Sequence, residues 1–399
     1  MIKEVDIIFF VEHKDRELES IKLIAEKLKE SGKTSLILSI YFHVHYLYFY
    51  KAKIFVFPYL INQNDWPVSI IYKMYGDSVE YINMNWEQLF SKANEEFKKP
   101  QDNFVKEKVK HISWSNYFKS YLLRHGVQKE NINITGNPAN EILFQLLNKN
   151  NHLKDRLSKE FNLDINKKWI FFPMNYGWAF FSDKMILKKI EAGYKKDIAY
   201  EYRSYSKKCL EKFVYFIDDI SKKYDYEIII RPHPSITEDD YRNVFNKGLG
   251  YIPKNVILNK KYSIREWIIA SDIIGSSWST SVWDAYNVGK SVFLFTPYKR
   301  PEWLDVWWNN EVNNITCPCK LNESSLSKKE IKVKSDLGIT ENISNFILNI
   351  EKSIDIPTKR KKVIFDIRSN IKIFKSLLLE KNILNSEKLS YDFIKMHKY

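Results

Sequence analysis

Apolar residues fall along this chain in two alternating rhythms. Val5-Asp6-Ile7-Ile8-Phe9-Phe10-Val11 is a short apolar run of the length and side-chain type of a strand buried on both faces. From Glu17 to Glu30 the apolar positions become Leu18, Ile21, Ile24, Ala25 and Leu28, the i, i+3, i+4 spacing of a helix, and Gly32 ends it. Ser35 to Ile40 is again strand-like. Strand, helix and strand within about 40 residues make a βαβ unit, so the chain opens as an α/β fold.

The same alternation continues. Lys53–Phe57, Val79–Met84, His111–Trp114 and Ile132–Thr135 read as strands, the third followed by a helix through Leu123 that Gly126 stops. Glu141–Leu157 reads as a helix, and a fresh series opens at Trp169–Pro173. It runs through a helix at Cys209–Lys223, strands at Tyr226–Ile230 and Val256–Leu258, a helix at Ile264–Ala270, a strand at Asp272–Gly275, a helix at Ser281–Val288 and a strand at Ser291–Phe295. Two consecutive α/β domains with a boundary near 155–167 account for this order, as an N-terminal domain over 1–160 and a second over 161–340. Residues 341–399 form a helical, Lys-rich tail expected to pack across both. No fixed-period repeat is present.

Length and composition narrow the class. At 399 residues, with 44% hydrophobic and 28% charged positions, the chain can bury two cores without a metal or disulfide staple. Its 63 Lys+Arg against 49 Asp+Glu leave a formal charge of +14, which favours an anionic partner. The lysines are scattered and no nucleic-acid-binding signature accompanies them, so nucleic acid is not expected. No export signal or apolar run of ~18–20 residues is present, which predicts a cytoplasmic protein, at most peripheral at the membrane. Cys209, Cys317 and Cys319 are too few and too unevenly spaced for a disulfide framework, in keeping with a reducing compartment. Neither Cys317-Pro318-Cys319 nor His43-x-His45 has the second pair a metal site needs. No Asp-x-Asp, P-loop or G-x-G-x-x-G is found, so neither a metal nor a separate cofactor is expected.

Two segments carry chemistry. Ile228-Ile229-Ile230 delivers Arg231-Pro232-His233-Pro234 to a carboxyl strand end, where open α/β sheets bind ligands. Arg supplies a fork of donors to phosphate, and His a donor or a proton. The second segment is Ser276-Ser277-Trp278-Ser279-Thr280-Ser281, ahead of a helix. Five hydroxyl residues in six positions at a helix N-terminus suit phosphate binding beyond what one cap needs. Asp284, one turn on, is placed to reach a ribose hydroxyl. Asn175-Tyr176-Gly177-Trp178, after the first strand of the second domain, is expected to stack donor or acceptor. Glu17 and Glu87 follow strands of the first domain and are the candidate catalytic carboxylates, with Arg16 beside the former and Asp15 and Glu12 next in line.

These residues describe the donor side of a glycosyltransferase built from two Rossmann-like domains facing each other across a cleft. The second half resembles the nucleotide-binding domain of bacterial surface-polysaccharide transferases (sialyl-, Kdo- and glycerophosphotransferases), whose His-Pro and Ser-rich motifs hold the phosphate of a CMP- or CDP-linked donor. His233-Pro234 matches the first motif and Ser276–Ser281 the second. In the first half, Glu12 to Leu18 resembles an E-x-K-x-R-E-L segment of surface carbohydrate biosynthesis proteins. Asn83 to Gln88 resembles their N-x-x-W-E-Q, and Trp114 through Gly136-Asn137-Pro138 their W-G…T-G-N-P, with Ser115 in place of the usual glycine. The resemblance covers roughly residues 5 to 300. It implies a GT-B fold, metal-independent transfer from a nucleotide sugar, most directly CMP-linked, and a glycan or lipid-linked glycan acceptor of capsule or lipopolysaccharide. A CDP-glycerol-type phosphotransferase, a nucleotide-sugar epimerase and a non-catalytic assembly protein remain as alternatives, because fold analogy does not separate them.

Overall fold

A computed structural model of the chain describes residues 2–149, 152–330, 338–351 and 367–381. The chain divides into two units, one of Met1–Gln88, Lys98–Glu141 and Asp336–Tyr399, the other of Leu89–Phe97 and Ile142–Ser335. Each is built on a six-stranded sheet whose strands all run parallel.

The first sheet comprises β1 (Ile7–Val11), β2 (Ser35–Ser39), β3 (Ile54–Phe57), β4 (Glu80–Asn83), β5 (Lys110–Ser113) and β6 (Ile132–Ile134), in the order β2-β1-β3-β4-β5-β6. The period of two sends alternate β1 residues to opposite faces. Ile7, Phe9 and Val11 pack with Ile21, Ile24 and Leu28 of helix Glu19–Glu30 and with Ile343 and Ile347 of helix Ile339–Glu351. Ile8 and Phe10 pack with Ile71, Met74 and Val105 on the other face. A turn of π-helix, Lys14–Leu18, stands between β1 and the helix expected to start at Glu17. The described parts of the tail, helices Ile339–Glu351 and Ile367–Glu380, both pack within this unit; 352–366 and 382–399 lie outside the described residues.

The second sheet comprises β7 (Lys168–Pro173), β8 (Tyr226–Arg231), β9 (Val256–Leu258), β10 (Ile273–Ser276), β11 (Ser291–Phe295) and β12 (Asn314–Ile315), in the order β9-β8-β7-β10-β11-β12. The order reverses beside β7, between β7 and β10, which is where doubly wound sheets open a crevice at their carboxyl ends. Ile170, Phe172 and Phe293 face helix Lys196–Lys223, while Trp169, Phe171 and Leu294 face Leu157, Trp267 and Val282. That long helix begins 13 residues before the expected Cys209 (209 − 196).

The units change hands at Glu141/Ile142, earlier than the expected 155–167. Leu143, Phe144, Leu153 and Leu157 explain it: all are buried against the second sheet, so the helices ahead of β7 belong to its core. The expected single helix over 141–157 is two, Pro138–Lys149 and Leu153–Phe161. Cys317 and Cys319 form a disulfide that their spacing did not suggest; the turn at Pro318 brings their Cα atoms to 5.4 Å.

Candidate functional site

At the reversal point of the second sheet, the ends of β7 and β10 are tied together. Ser276 donates to the Pro173 carbonyl at 2.6 Å. With its amide oriented by its neighbours, Asn175 donates to Ser277 Oγ at 2.5 Å and accepts from Trp278 Nε1 at 2.9 Å and the Ser279 backbone N–H at 3.0 Å. Gly275 lies just before this loop. A Cβ there would come within 2.4 Å of Phe293 and 2.8 Å of Phe172, so only glycine fits. Ser279 caps helix Thr280–Asn287, its hydroxyl accepting from the Ser281 N–H at 3.3 Å, and Thr280 is exposed at the helix start.

β8, the other neighbour of β7, ends in the His-Pro segment. His233 Nδ1 accepts from the Ser235 N–H at 3.3 Å and faces Ser235 Oγ at 2.8 Å. That leaves the proton on Nε2, as a donor. The residue is exposed, yet the protein packed around the ring, with the Lys260, Arg231 and Lys189 charges, lowers its pKa, so the imidazole is neutral at pH 7. Lys260 Nζ clamps the loop through the Pro234 and Ile236 carbonyls at 2.9 and 3.0 Å. Gly177 stands beside the ring; a Cβ there would make ordinary contact, 3.6 Å from Nδ1.

Several expected donor residues take other parts. Arg231 is buried and donates to the Tyr262 carbonyl at 3.2 Å, which directs its guanidinium into the fold. Tyr176 is fully buried, edge-on to Trp278 at 5.3 Å, and Trp178 stacks on Tyr202 at 4.5 Å. Those aromatic residues build a wall, Tyr176 against Trp278 of the serine loop, and Asn175 hydrogen-bonds that loop. Ser276, Ser277 and Ser281 are buried, leaving Ser279 and Thr280 as the more accessible hydroxyls. Burial pushes the Asp284 carboxyl up to about 6 against the opposing Arg265 charge.

In the first unit, Arg16 joins the two candidate carboxylates. It donates to Glu87 Oε1 at 2.7 Å and twice to Glu17 Oε1, at 2.6 and 3.0 Å, while Glu17 Oε2 accepts from the Glu12 N–H at 2.7 Å. Glu17 is fully buried, and burial, opposed by Arg16, raises its carboxyl to about 7. Glu87 is placed by Asn85, whose positive φ of 50° turns the chain after β4 and whose amide donates to the Ile112 carbonyl at 3.2 Å. Its side chain is 43% exposed. Burial works to raise its pKa, and the Lys98 ammonium and Arg16 guanidinium outweigh it, holding the carboxyl at about 2. Lys98, which also lies 4.1 Å over the Tyr59 ring, was not expected from the sequence, nor were Asn85, Ser235 or Lys260. Only Ser235, two residues past His233, carried a local signal.

Among the described residues no group of three or more His, Cys, Asp or Glu is placed to hold a metal, and no helix is long and apolar enough to cross a membrane.

No family model matches the chain, and no curated protein matches it. Solved structures do. A histidine-to-asparagine variant of the wall teichoic acid polymerase TagF, soaked with CDPG, is similar at a TM-score of 0.52 and 14% identity, over 88% of this chain and 89% of that one. A histidine-to-alanine variant of TagF gives 0.52 and 13%, over 96% and 90%. A UDP-GlcNAc 2-epimerase from Neisseria meningitidis, bound to UDP-GlcNAc, gives 0.48 and 14%, over 96% and 100%. At such identities the likeness is one of fold, and it rests on the TagF structures: the chain has the two-sheet α/β architecture of GT-B proteins.

Proposed function

We propose that the chain is a metal-independent, nucleotide-sugar-dependent transferase of bacterial surface-glycan synthesis, with its donor site on the second unit and no separate cofactor. The observation that carries the reading is the reversal point of the second sheet. There β7, β8 and β10 deliver Asn175, His233 and the Ser277–Ser279 loop to one carboxyl edge, with a helix N-terminus opening beside them. The neutral His233 donates its Nε2 proton to a phosphate oxygen, and the Ser279 and Thr280 hydroxyls and the first-turn N–H groups supply further donors. As the phosphate leaves, these donors stabilise the charge it gains. Asp284 is assigned to a ribose hydroxyl.

On the first unit, Glu87 is the accessible carboxylate and is assigned to the acceptor hydroxyl. Arg16, held by the buried Glu17, is assigned to positioning Glu87. The donor is proposed as cytidine-linked. A CMP-linked acidic sugar is the donor that the resemblance of the His-Pro and serine motifs supports, and the acceptor is proposed as a capsule or lipopolysaccharide glycan, free or lipid-linked. A CDP-linked phosphotransferase is the second reading, favoured by the fold likeness to a teichoic acid polymerase soaked with CDPG. The setting is the cytoplasmic face of the membrane, with the protein peripheral to it.

Calorimetric titration with CMP, CDP, UDP and GDP tests the reading. A cytidine nucleotide is expected to bind, and His233→Ala to weaken it by about 1.5–3 kcal/mol, roughly 10- to 150-fold. If no nucleotide binds, or His233→Ala binds as the parent does, the donor site is misassigned.

A further inference from the structure

The helix Ile367–Glu380 of the first unit is fastened along one side. Ile373, Ser376 and Leu379 are buried, Ser376 Oγ accepts from the His45 backbone N–H at 3.2 Å, and Glu380 pairs with His45 at 2.9 Å and accepts from Tyr46 at 3.1 Å. Its other side has a different composition. Ile371 and Phe374 are each 59% exposed, and Arg368 and Lys375 are exposed beside them, while Lys372 holds its ammonium 4.9 Å over the Trp66 ring. Glu380, the helix's single acid, is taken up on the inner side. The apolar surface continues off the helix: Tyr48 donates to Asn370 at 3.4 Å, and its neighbour Phe49 is 56% exposed. Lys3 donates its backbone N–H to the Phe49 carbonyl at 2.8 Å, and Ile2 beside it is 43% exposed. The acid on that edge, Glu4, pairs with Lys51 at 2.7 Å.

An apolar ridge rimmed by cations matches one environment well. At the boundary of an anionic bilayer, Phe and Ile enter the acyl edge while Lys and Arg meet lipid phosphates. Two copies of this chain docking by the same face would set Arg368 and Lys375 against their own counterparts, which disfavours a symmetric dimer. We infer that this face of the first unit is a docking surface for anionic lipid. The inference deepens the membrane setting proposed above and rests on that part of the reading alone.

The full chain is to be sedimented with vesicles of phosphatidylcholine and with vesicles of phosphatidylglycerol and phosphatidylcholine in a ratio of about 1:2. Binding to the second, weakened by salt, is expected, with little binding to the first. Replacing Ile371→Ser and Phe374→Ser together is expected to lower binding about tenfold or more, with thermal unfolding unchanged because both side chains are exposed. Replacing Arg368→Glu and Lys375→Glu lowers it on the anionic vesicles alone. A chain that stays in the supernatant, equal binding to both vesicles, or an Ile371/Phe374 variant that binds as the parent does would overturn the inference. So would a concentration-dependent dimer abolished by that variant. No nucleotide enters this assay, so a chain that binds nucleotide but no vesicle counts against this surface only. A chain that binds vesicles but no nucleotide counts against the transferase reading only.

Discussion

Replacing Gly275→Ala adds one methyl group where the fold has no room for it. The added carbon would lie 2.4 and 2.7 Å from two ring atoms of Phe293 and 2.8 Å from one of Phe172, where carbon contacts normally begin near 3.5 Å. Neither ring can swing away cheaply. Phe172 and Phe293 are fully buried and meet edge to face at 6.0 Å, and Phe213 and Phe216 hold them from behind at 5.2 and 6.2 Å. The backbone of β10 must then move by about an ångström, at the upper part of the overpacking range, about 2–3 kcal/mol. For a domain near 200 residues that is a fall in unfolding temperature of roughly 4–12 °C, readable by calorimetry. The displacement lands on Ser276 and Ser277, so nucleotide affinity should fall with stability. Phe293→Leu removes the two closest atoms but leaves Phe172 in place, and combined with Gly275→Ala it should recover about half the loss. An alanine variant that unfolds within about 1 °C of the parent, or a second change that recovers nothing, would refute the steric argument.

Two further substitutions probe the site. Asn175→Ala removes the bonds to Ser277, Trp278 and Ser279, and should cost about 1.5–3 kcal/mol of stability with a parallel loss of nucleotide affinity, read by urea unfolding and calorimetry. Arg16→Met leaves the buried Glu17 without its guanidinium and should cost up to ~3 kcal/mol once Glu17 must ionise, above about pH 7. Glu17 already sits at about 7, above its ordinary 4.5, so between those values the unfolded chain gives up this proton while the folded chain keeps it, and stability falls as pH rises. Without Arg16 its pKa rises further, so the variant's deficit should be small at about pH 5 and grow above about pH 7. A deficit independent of pH would show that Arg16 acts by packing.

The strands and the segments at their ends were legible because apolar runs and strand-terminal polar residues are local signals. Ile228–Ile230 announced the strand that delivers His233, and the hydroxyl run before helix Thr280–Asn287 announced the other arm. The bonds inside the site were not legible. Arg16 and Glu87 are 71 residues apart, and Asn175 and Ser277 are 102 apart, distances that only the strand order closes. Arg231 and Tyr176 read as ligand groups because sequence does not say which way a strand-end side chain turns; both turn inward. The handover at Glu141/Ile142 was hidden because an amphipathic helix does not reveal which sheet its apolar face covers.

The discontinuity of the first unit sets an order of events on the ribosome. Its β1–β6 sheet is complete by Ile134, but Ile339, Ile343 and Ile347, which cover the face carrying Ile7, Phe9 and Val11, emerge about 200 residues later. At ~5–20 residues per second that is a wait of roughly 10–40 s with that face covered on one side only, by helix Glu19–Glu30. The second unit, whose core residues are contiguous from Ile142 onward apart from the short Leu89–Phe97 segment, can close first. Newly made chains should therefore be most prone to aggregation, and most dependent on chaperones, in the interval before residue 351 leaves the tunnel.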